Sequence, residues 1–248
     1  MLREGLNEVR EIARKTSAND IVTEMDRRVE AFIVGRLGEA FPGHLVRCEE
    51  GTAGAVETGA YRWHVDPLDG TINYLHRFPW FAVSMGLERL SDGKVVVGVI
   101  NHVMSDEMYL AVRGEGAFCN GQRLEVSRVA TLSDALVATG FPYWIHQRTG
   151  LILENVERFL TRCHGVRRAG AAALDLCGVA AGQYDGYWED TLSSWDICAG
   201  ALLVREAGGR LTDYDGNEVE IPTAHVVASN GRVHEEMVEL VRGRYSVK

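Results

Sequence analysis

The chain has 248 residues, 46% of them hydrophobic and 25% charged, the composition of an ordinary globular protein of one large domain or two modest ones. Its 26 Lys and Arg against 35 Asp and Glu leave a formal charge of −9, which argues against a nucleic-acid-binding stripe. No apolar run approaches the ~18 residues of a membrane-spanning helix, and Met1-Leu2-Arg3-Glu4-Gly5 leads into charge rather than an apolar leader core, so neither a membrane protein nor a secreted one is expected.

In chain order, Leu2, Leu6, Val9, Ile12 and Ala13 recur at helical spacing and predict an N-terminal amphipathic helix. A second helix fits residues 26–38, with Val29, Phe32, Ile33 and Leu37 inward. Tyr61 to Asp66 reads as a strand running into a turn at Pro67. Further strands fit 80–89, 95–101 and 107–113, and Asn120-Gly121 is a hairpin signal. From about residue 132 the rhythm becomes alternating: a strand at 136–139, helices at 149–161 and 171–181, and a strand from Tyr184 to Trp188. A strong helix over 194–207 ends at Gly208-Gly209, and a strand at 226–228 and a helix at 231–242 close the chain. A meander followed by an alternating half predicts two layered subdomains, 1–131 and 132–248. The five cysteines, at 48, 119, 163, 177 and 198, are odd in number and form no Cys-x-x-Cys pair. Reduced thiols in a cytoplasmic chain are expected, with Cys177 and Cys198 as small core residues.

The most informative segment is Asp66-Pro67-Leu68-Asp69-Gly70-Thr71-Ile72-Asn73. Two carboxylates stand three positions apart across a proline that limits the geometry, so both can converge on one point. Gly70 has no Cβ and lets the backbone approach a phosphate, and Thr71 adds a hydroxyl and an N–H at the start of a helical turn. Such hard oxygen ligands suit Mg²⁺; the bland alternative is a surface turn. Three further acidic places add to it: Glu49-Glu50, Asp26 in Thr23-Glu24-Met25-Asp26, and Asp196 in Ser193-Ser194-Trp195-Asp196. Each has an alternative, a solvated pair for Glu49-Glu50 and helix capping boxes for Asp26 and Asp196. No Ser-His-Asp arrangement is visible, the eight histidines have no metal spacing, and His64 and His76 read as structural.

Taken together these blocks resemble the inositol monophosphatase family. Asp66 to Thr71 is similar to its DP(I/L)DGT signature, and Trp195-Asp196-Ile197-Cys198-Ala199-Gly200 through Glu206-Ala207-Gly208-Gly209 to its WDxxAG…EAGG signature. Asp20 to Asp26 and Glu49-Glu50 are similar to two more family blocks, in the right order. The resemblance implies the layered αβαβα sandwich of the inositol monophosphatase and fructose-1,6-bisphosphatase type, an α+β half followed by an α/β half. It also implies a homodimer and a site for two or three Mg²⁺ ions. By that resemblance Glu49, Asp66 and the Leu68 carbonyl hold one ion, Asp66, Asp69 and Asp196 a second, and Glu49 a weaker third. Asp26 anchors the Thr71 hydroxyl or metal-bound water, Gly70 and Thr71 present N–H groups to phosphate, and Lys15 orders metal-bound water or is simply a surface lysine.

For the substrate, the resemblance assigns Glu189, seven residues before Asp196, to the hydroxyls of a polyol. Gly170, Ala171 and Ala172, within Arg167-Arg168-Ala169-Gly170-Ala171-Ala172, line the pocket as in the bacterial branch, where the two arginines pair structurally. Thr71, Asp26 and Glu49 carry the catalytic roles, with water as the nucleophile. Cys48 stands where many members have Gly, an expected point of oxidation sensitivity; Ile72, Tyr74 and Ala171 are further departures that remove no ligand. The implied activity is Mg²⁺-dependent hydrolysis of inositol monophosphate or a similar polyol phosphate. The alternatives are fructose 1,6-bisphosphate, histidinol phosphate or adenosine 3′,5′-bisphosphate as substrate, or a regulatory protein-binding role in transcription.

Overall fold

The computed structural model describes residues 1–6, 12–14, 21–51, 58–142, 148–221 and 224–244, with backbone alone at 12–14 and 21–22. Helix α1 (Leu2–Gly5) precedes two short antiparallel strands, β1 (Ile12–Arg14) and β2 (Ile21–Thr23). Thr23 then caps α2 (Glu24–Ala40), its hydroxyl accepting from Met25 N at 3.2 Å. Next come β3 (Leu45–Cys48), β4 (Tyr61–Asp69), the short helix α3 (Thr71–Leu75), β5 (Ala82–Arg89) and β6 (Lys94–His102). β7 (Glu107–Val112), β8 (Gly116–Cys119) and β9 (Gln122–Arg123) complete a seven-stranded sheet in chain order, antiparallel except where β3 runs parallel to β4.

The remainder alternates: β10 (Leu136–Thr139), α4 (Thr149–Leu160), β11 (Gly165–Arg167), α5 (Ala172–Ala180), β12 (Gly186–Leu192) and α6 (Ser194–Glu206). β13 (Arg210–Thr212), β14 (Ala224–Ser229) and α7 (His234–Val241) close it. The five-stranded sheet has the order β11-β10-β12-β14-β13, with β10 parallel to both neighbours and β14 antiparallel to both of its own. α2 covers β4 on one side, α5 and α6 lie between the two sheets, and α4 and α7 flank the second sheet. The layers are therefore αβαβα, as the family resemblance implies.

Four expectations are corrected. The N-terminal helix stops at Gly5; Ile12 and Ala13 lie in β1, and Val9 lies outside the described residues, as do Lys15 and Asp20. In α2 the stripe Met25, Val29, Ile33, Leu37 at four-residue spacing faces inward, and Phe32 beside it is 55% exposed. Pro67 makes no turn: β4 continues to Asp69, with an irregular register against β5 between Asp66 and Asp69 that absorbs the missing N–H. The strand expected at Tyr184 begins at Gly186, because Tyr184 belongs to the turn after α5 and its N–H bonds Gly178 O at 3.0 Å. Cys177 and Cys198 are core residues as expected, and all five cysteines are free thiols.

The central layer is held at backbone distance by two glycines. A Cβ on Gly86 would stand 2.4 Å from Cys198 Sγ, and one on Gly98 would stand 2.7 Å from the Ala199 carbonyl oxygen. α6 thus rests directly on β5 and β6, which fixes the height of its first turn over the sheet. Gly98→Ala is expected to destabilise the chain by about 1–3 kcal/mol, because the obstacle is backbone rather than a side chain that swings away. Urea unfolding of the two proteins measures this; equal midpoints and slopes would mean that α6 is not seated as described.

Candidate functional site

β4 delivers two of the acidic groups. Burial pushes the Asp66 carboxyl well above the usual carboxylate range, and Glu49, Asp69 and Asp196 push it further. Glu49 arrives beside it because β3 runs parallel to β4 and the Glu49 N–H bonds the Val65 carbonyl at 3.2 Å. The Asp196 carboxyl is likewise raised, by burial first and then by Glu49. Asp69 is pushed up to about 7 by burial, against the pull of N–H groups at the start of α5. Four carboxylates from three places in the chain, the end of β3, the end of β4 and the start of α6, therefore share one neighbourhood.

Each of three of these acids also supports the backbone. Asp66 Oδ1 accepts from Leu68 N at 2.9 Å, which shapes the irregular end of β4. Asp69 accepts from Ala172 N at 3.2 Å and Ala173 N at 2.8 Å, and so caps α5 from across the molecule. Asp196 Oδ2 accepts from Ser193 N at 2.6 Å, the capping interaction expected at the start of α6. Capping and ligation are thus not rivals at Asp196: one oxygen is used for the helix, and the other has no hydrogen-bond partner among the described residues.

Asp26 divides its oxygens in the same way. Oδ2 accepts from Thr23 N at 2.8 Å and from the Thr23 hydroxyl at 2.5 Å, while Oδ1 accepts from the Thr71 hydroxyl at 3.1 Å. The Thr71 hydroxyl also lies 3.1 Å from the Leu68 carbonyl. Burial raises the Asp26 carboxyl, and the bonds from Thr23 and Thr71 oppose it. Gly70, between Asp69 and Thr71, has φ 89°, and a Cβ there would meet Trp80 O at 3.0 Å and Ala171 Cβ at 3.3 Å.

A cavity of ≈ 130 Å³ opens beside this turn, lined in part by Asp69, Gly70, Thr71, Gly170, Asp196 and Glu189. Ala171 and Ala172 also line it, and so does Arg168, whose guanidinium stands 5.3 Å over the Phe141 ring. The stacking on Phe141 gives Arg168 a structural partner, and among the described residues it forms no salt bridge. Glu189 is buried and accepts from the Tyr187 hydroxyl; burial pushes its carboxyl up to about 7, with Tyr187 and Arg168 pulling the other way.

Two contributors carried no sequence signal. Gly140 has no side chain where a Cβ would stand 1.9 Å from Glu189 Oε2, and Asn73 Nδ2 donates to Trp80 O at 2.8 Å and Ala169 O at 2.9 Å. Asn73 lies inside the signature segment, but its partner at 169 is 96 positions away. Cys48 is corrected: it is buried and its thiol is pushed up to about 12, so little thiolate exists to be oxidised.

Among the described residues no three acidic, histidine or cysteine side chains close into a ready cation cage. The donor chemistry nevertheless fits a hard divalent ion, since the groups that raise one another's proton affinity are all carboxylates and a carbonyl, Leu68 O, lies beside them.

The model of the inositol monophosphatase family matches residues 1–245. An inositol-1-monophosphatase of Mesorhizobium japonicum is 43% identical over 229 residues, 92% of this chain and 85% of that one. A protein of Neisseria meningitidis named as a putative Nus factor SuhB is 40% identical, over 90% of this chain and 85% of its own. Among solved structures, the extragenic suppressor protein suhB of Bartonella henselae superposes with a TM-score of 0.91 at 39% identity, covering 98% of this chain and 93% of that one.

The electrostatics predict how stability depends on pH. A carboxyl raised in the folded state favours its protonated form there, so its stabilising contribution is full below its ordinary value and is lost as pH rises through about 7. In chelator, Glu189→Gln should match the parent near pH 4.5 and become progressively more stable than it up to pH 8, by about 2–3 kcal/mol. Urea unfolding across that range checks this; a difference that does not change with pH would mean that Glu189 titrates in its ordinary range.

Proposed function

The chain belongs to the inositol monophosphatase family, and on that premise we propose that it is a Mg²⁺-dependent phosphomonoesterase acting on inositol monophosphate or a similar polyol phosphate. The observation that carries this reading is the mutual strengthening of four buried or half-buried carboxylates beside the left-handed turn at Gly70. Glu49, Asp66, Asp69, Asp196 and the Leu68 carbonyl would hold the ions, as the family resemblance implies. Bound there, divalent cations lower the proton affinity of a water and offset the charge of the phosphate.

The chain's own residues supply the remainder. The Thr71 hydroxyl, its proton directed to Asp26 Oδ1, keeps lone pairs to accept a proton from the attacking water. Asp26, with its raised proton affinity, is suited to receive charge from that relay. The Gly70 and Thr71 amides, at the start of α3 where no preceding carbonyl bonds them within the helix, face the phosphate. Water oxygen bonds to phosphorus as the ester P–O bond breaks, and the departing alkoxide takes a proton to leave as the alcohol. Glu189 and the backbone of Gly170 to Ala172 orient the polyol. Positioning and charge compensation supply most of the rate gain.

The wider reading includes two subdomains meeting near residues 131–132 and a homodimer, which light scattering tests. No helix among the described residues is long and apolar enough to cross a membrane. A second reading, a regulatory partner in transcription, draws on the relative named as a putative Nus factor, whose identity is close to that of the phosphatase relatives. Against a purely non-catalytic role stands the acidic cluster, which a scaffold does not require.

Two outcomes test the first reading. Phosphate release from inositol monophosphate, compared with fructose 1,6-bisphosphate, histidinol phosphate and adenosine 3′,5′-bisphosphate, should vanish in chelator and return with Mg²⁺; full activity in excess chelator would remove the metal from the mechanism. Asp196→Asn keeps an acceptor for Ser193 N and removes a carboxyl that burial and Glu49 raise, so metal-free unfolding at neutral pH should show no destabilisation and a gain instead. Turnover should nonetheless fall at least about a hundredfold, as it does when an electrostatic stabiliser is removed. Near-parental turnover would return Asp196 to capping alone.

A further inference from the structure

His64 is buried in β4, two residues before Asp66, and both side chains therefore stand on the same face of the strand. Ser194 opens α6 two residues before Asp196. The two are joined: His64 Nδ1 lies 2.8 Å from Ser194 Oγ, and His64 Nε2 lies 2.9 Å from Glu88 Oε2 on β5. Glu88 is held in turn by Arg62 at 3.3 Å. With Nε2–H directed at the Glu88 carboxylate, Nδ1 is left to accept from the Ser194 hydroxyl. Each ring nitrogen is engaged, and the ring cannot turn without breaking both bonds.

The order serine, histidine, carboxylate is that of a hydrolase triad, but Ser194 is only 3% exposed and does not line the cavity. A nucleophile needs access; a strut does not. The chain of bonds crosses from β5 through β4 to the first turn of α6, beside Gly86, where the helix meets the sheet backbone. Close packing at Gly86 and Gly98 sets the height of α6 but resists sliding poorly, because small residues offer few interlocking side chains. A directional hydrogen bond at the helix start supplies the missing lateral constraint.

We propose that the Ser194–His64–Glu88 chain is a positioning device that fixes the start of α6 on β4, and so sets the separation of Asp196 from Asp66. This rests on the reading that those two carboxylates share a divalent cation. His64 and Ser194 are positioning residues and touch neither substrate nor cation.

The test uses the full chain with Ser194→Ala, His64→Val and the double variant. Mg²⁺ binding is followed by calorimetry and by the Mg²⁺-dependent rise in unfolding temperature, and metal-free unfolding is measured beside them. Each single variant should weaken Mg²⁺ binding about tenfold, the effect of one lost directed bond between buried groups. The double variant should be no weaker than the worse single, because the pair acts as one unit. Turnover should recover toward the parental value at high Mg²⁺, which separates positioning from chemistry. Lower metal-free stability with unchanged Mg²⁺ binding in the singles would overturn the proposal and leave His64 a packing residue. If His64→Val does not fold, Ser194→Ala, which deletes a single oxygen, decides by the same readings. A parent that binds no Mg²⁺ would overturn the shared-cation reading and this inference with it. Mg²⁺ binding that depends on Ser194, with no phosphate released from any ester, would sustain the positioning role and remove only the hydrolase reading.

Discussion

Glu49 lies near enough to Asp66, Asp69 and Asp196 to raise the proton affinity of all three, in surroundings where burial already disfavours charge. An unpaired carboxylate in such a place is costly, and four near one another cost more than four apart. The fold carries them because three are also used as backbone acceptors. Asp66 closes the end of β4, Asp69 receives the first amides of α5, and Asp196 receives the N–H before α6. Helix N-termini carry partial positive charge, so the two central helices bring the field that makes the acids tolerable. The central layer and the acidic cluster are therefore parts of one arrangement, and neither is placed without the other.

That dependence explains why the middle of the molecule is built from small residues. α5 reads Ala172-Ala173-Leu174 at its start and α6 reads Cys198-Ala199-Gly200-Ala201 through its middle, all of them buried. Larger side chains would lift α6 from β5 and β6 and move Asp196 away from β4. Gly200 receives Leu176 of α5 where a Cβ would stand 2.4 Å from Leu176 Cδ1, so the two helices are pressed together as tightly as each is pressed on the sheet. Precision at the acids is obtained by removing side chains elsewhere.

The parts legible in the sequence are those whose physics is local. Asp66 to Thr71 is one short segment, the end of β4 and the start of α3, and its two acids, its left-handed glycine and its hydroxyl are all within six positions. The long helix of 194–206, its cap and its stop at Gly208 with φ 89° follow from capping rules alone. What escaped depends on distance along the chain. Asn73 needs Ala169, Glu189 needs the missing Cβ of Gly140, and His64 needs Ser194, 130 positions on. Periodicity misled where an apolar residue falls at the margin of a stripe: Phe32 fits a helical pattern yet faces outward, since Met25, one turn before Val29, completes the inward face. Ile12 and Ala13 fit the same pattern and lie in a strand, because three-residue pairing with β2 overrides helical preference there.

The signs of charge around the cavity tie its two expected ligands together. Of its described lining side chains, Asp69, Asp196 and Glu189 are acidic and Arg168 is the one cation. A phosphate ester approaching such a wall meets like charge, and one guanidinium stacked on Phe141 does not offset three carboxylates. On the proposed reading, an anion at Gly70 and Thr71 would be favourable only with positive charge already on the acidic side, which would link cation and phosphate occupancy. The same linkage runs through protons. Burial pushes both Asp69 and Glu189 up to about 7, and a cation held by Asp69 as proposed would compete with its proton. Glu189 is fixed by its tie to Tyr187 and its place against Gly140, and Asp69 raises it through space without a hydrogen bond between them. A phosphorylated polyol, the substrate class proposed above, would set its phosphate on the charge-compensated side and a hydroxyl toward Glu189.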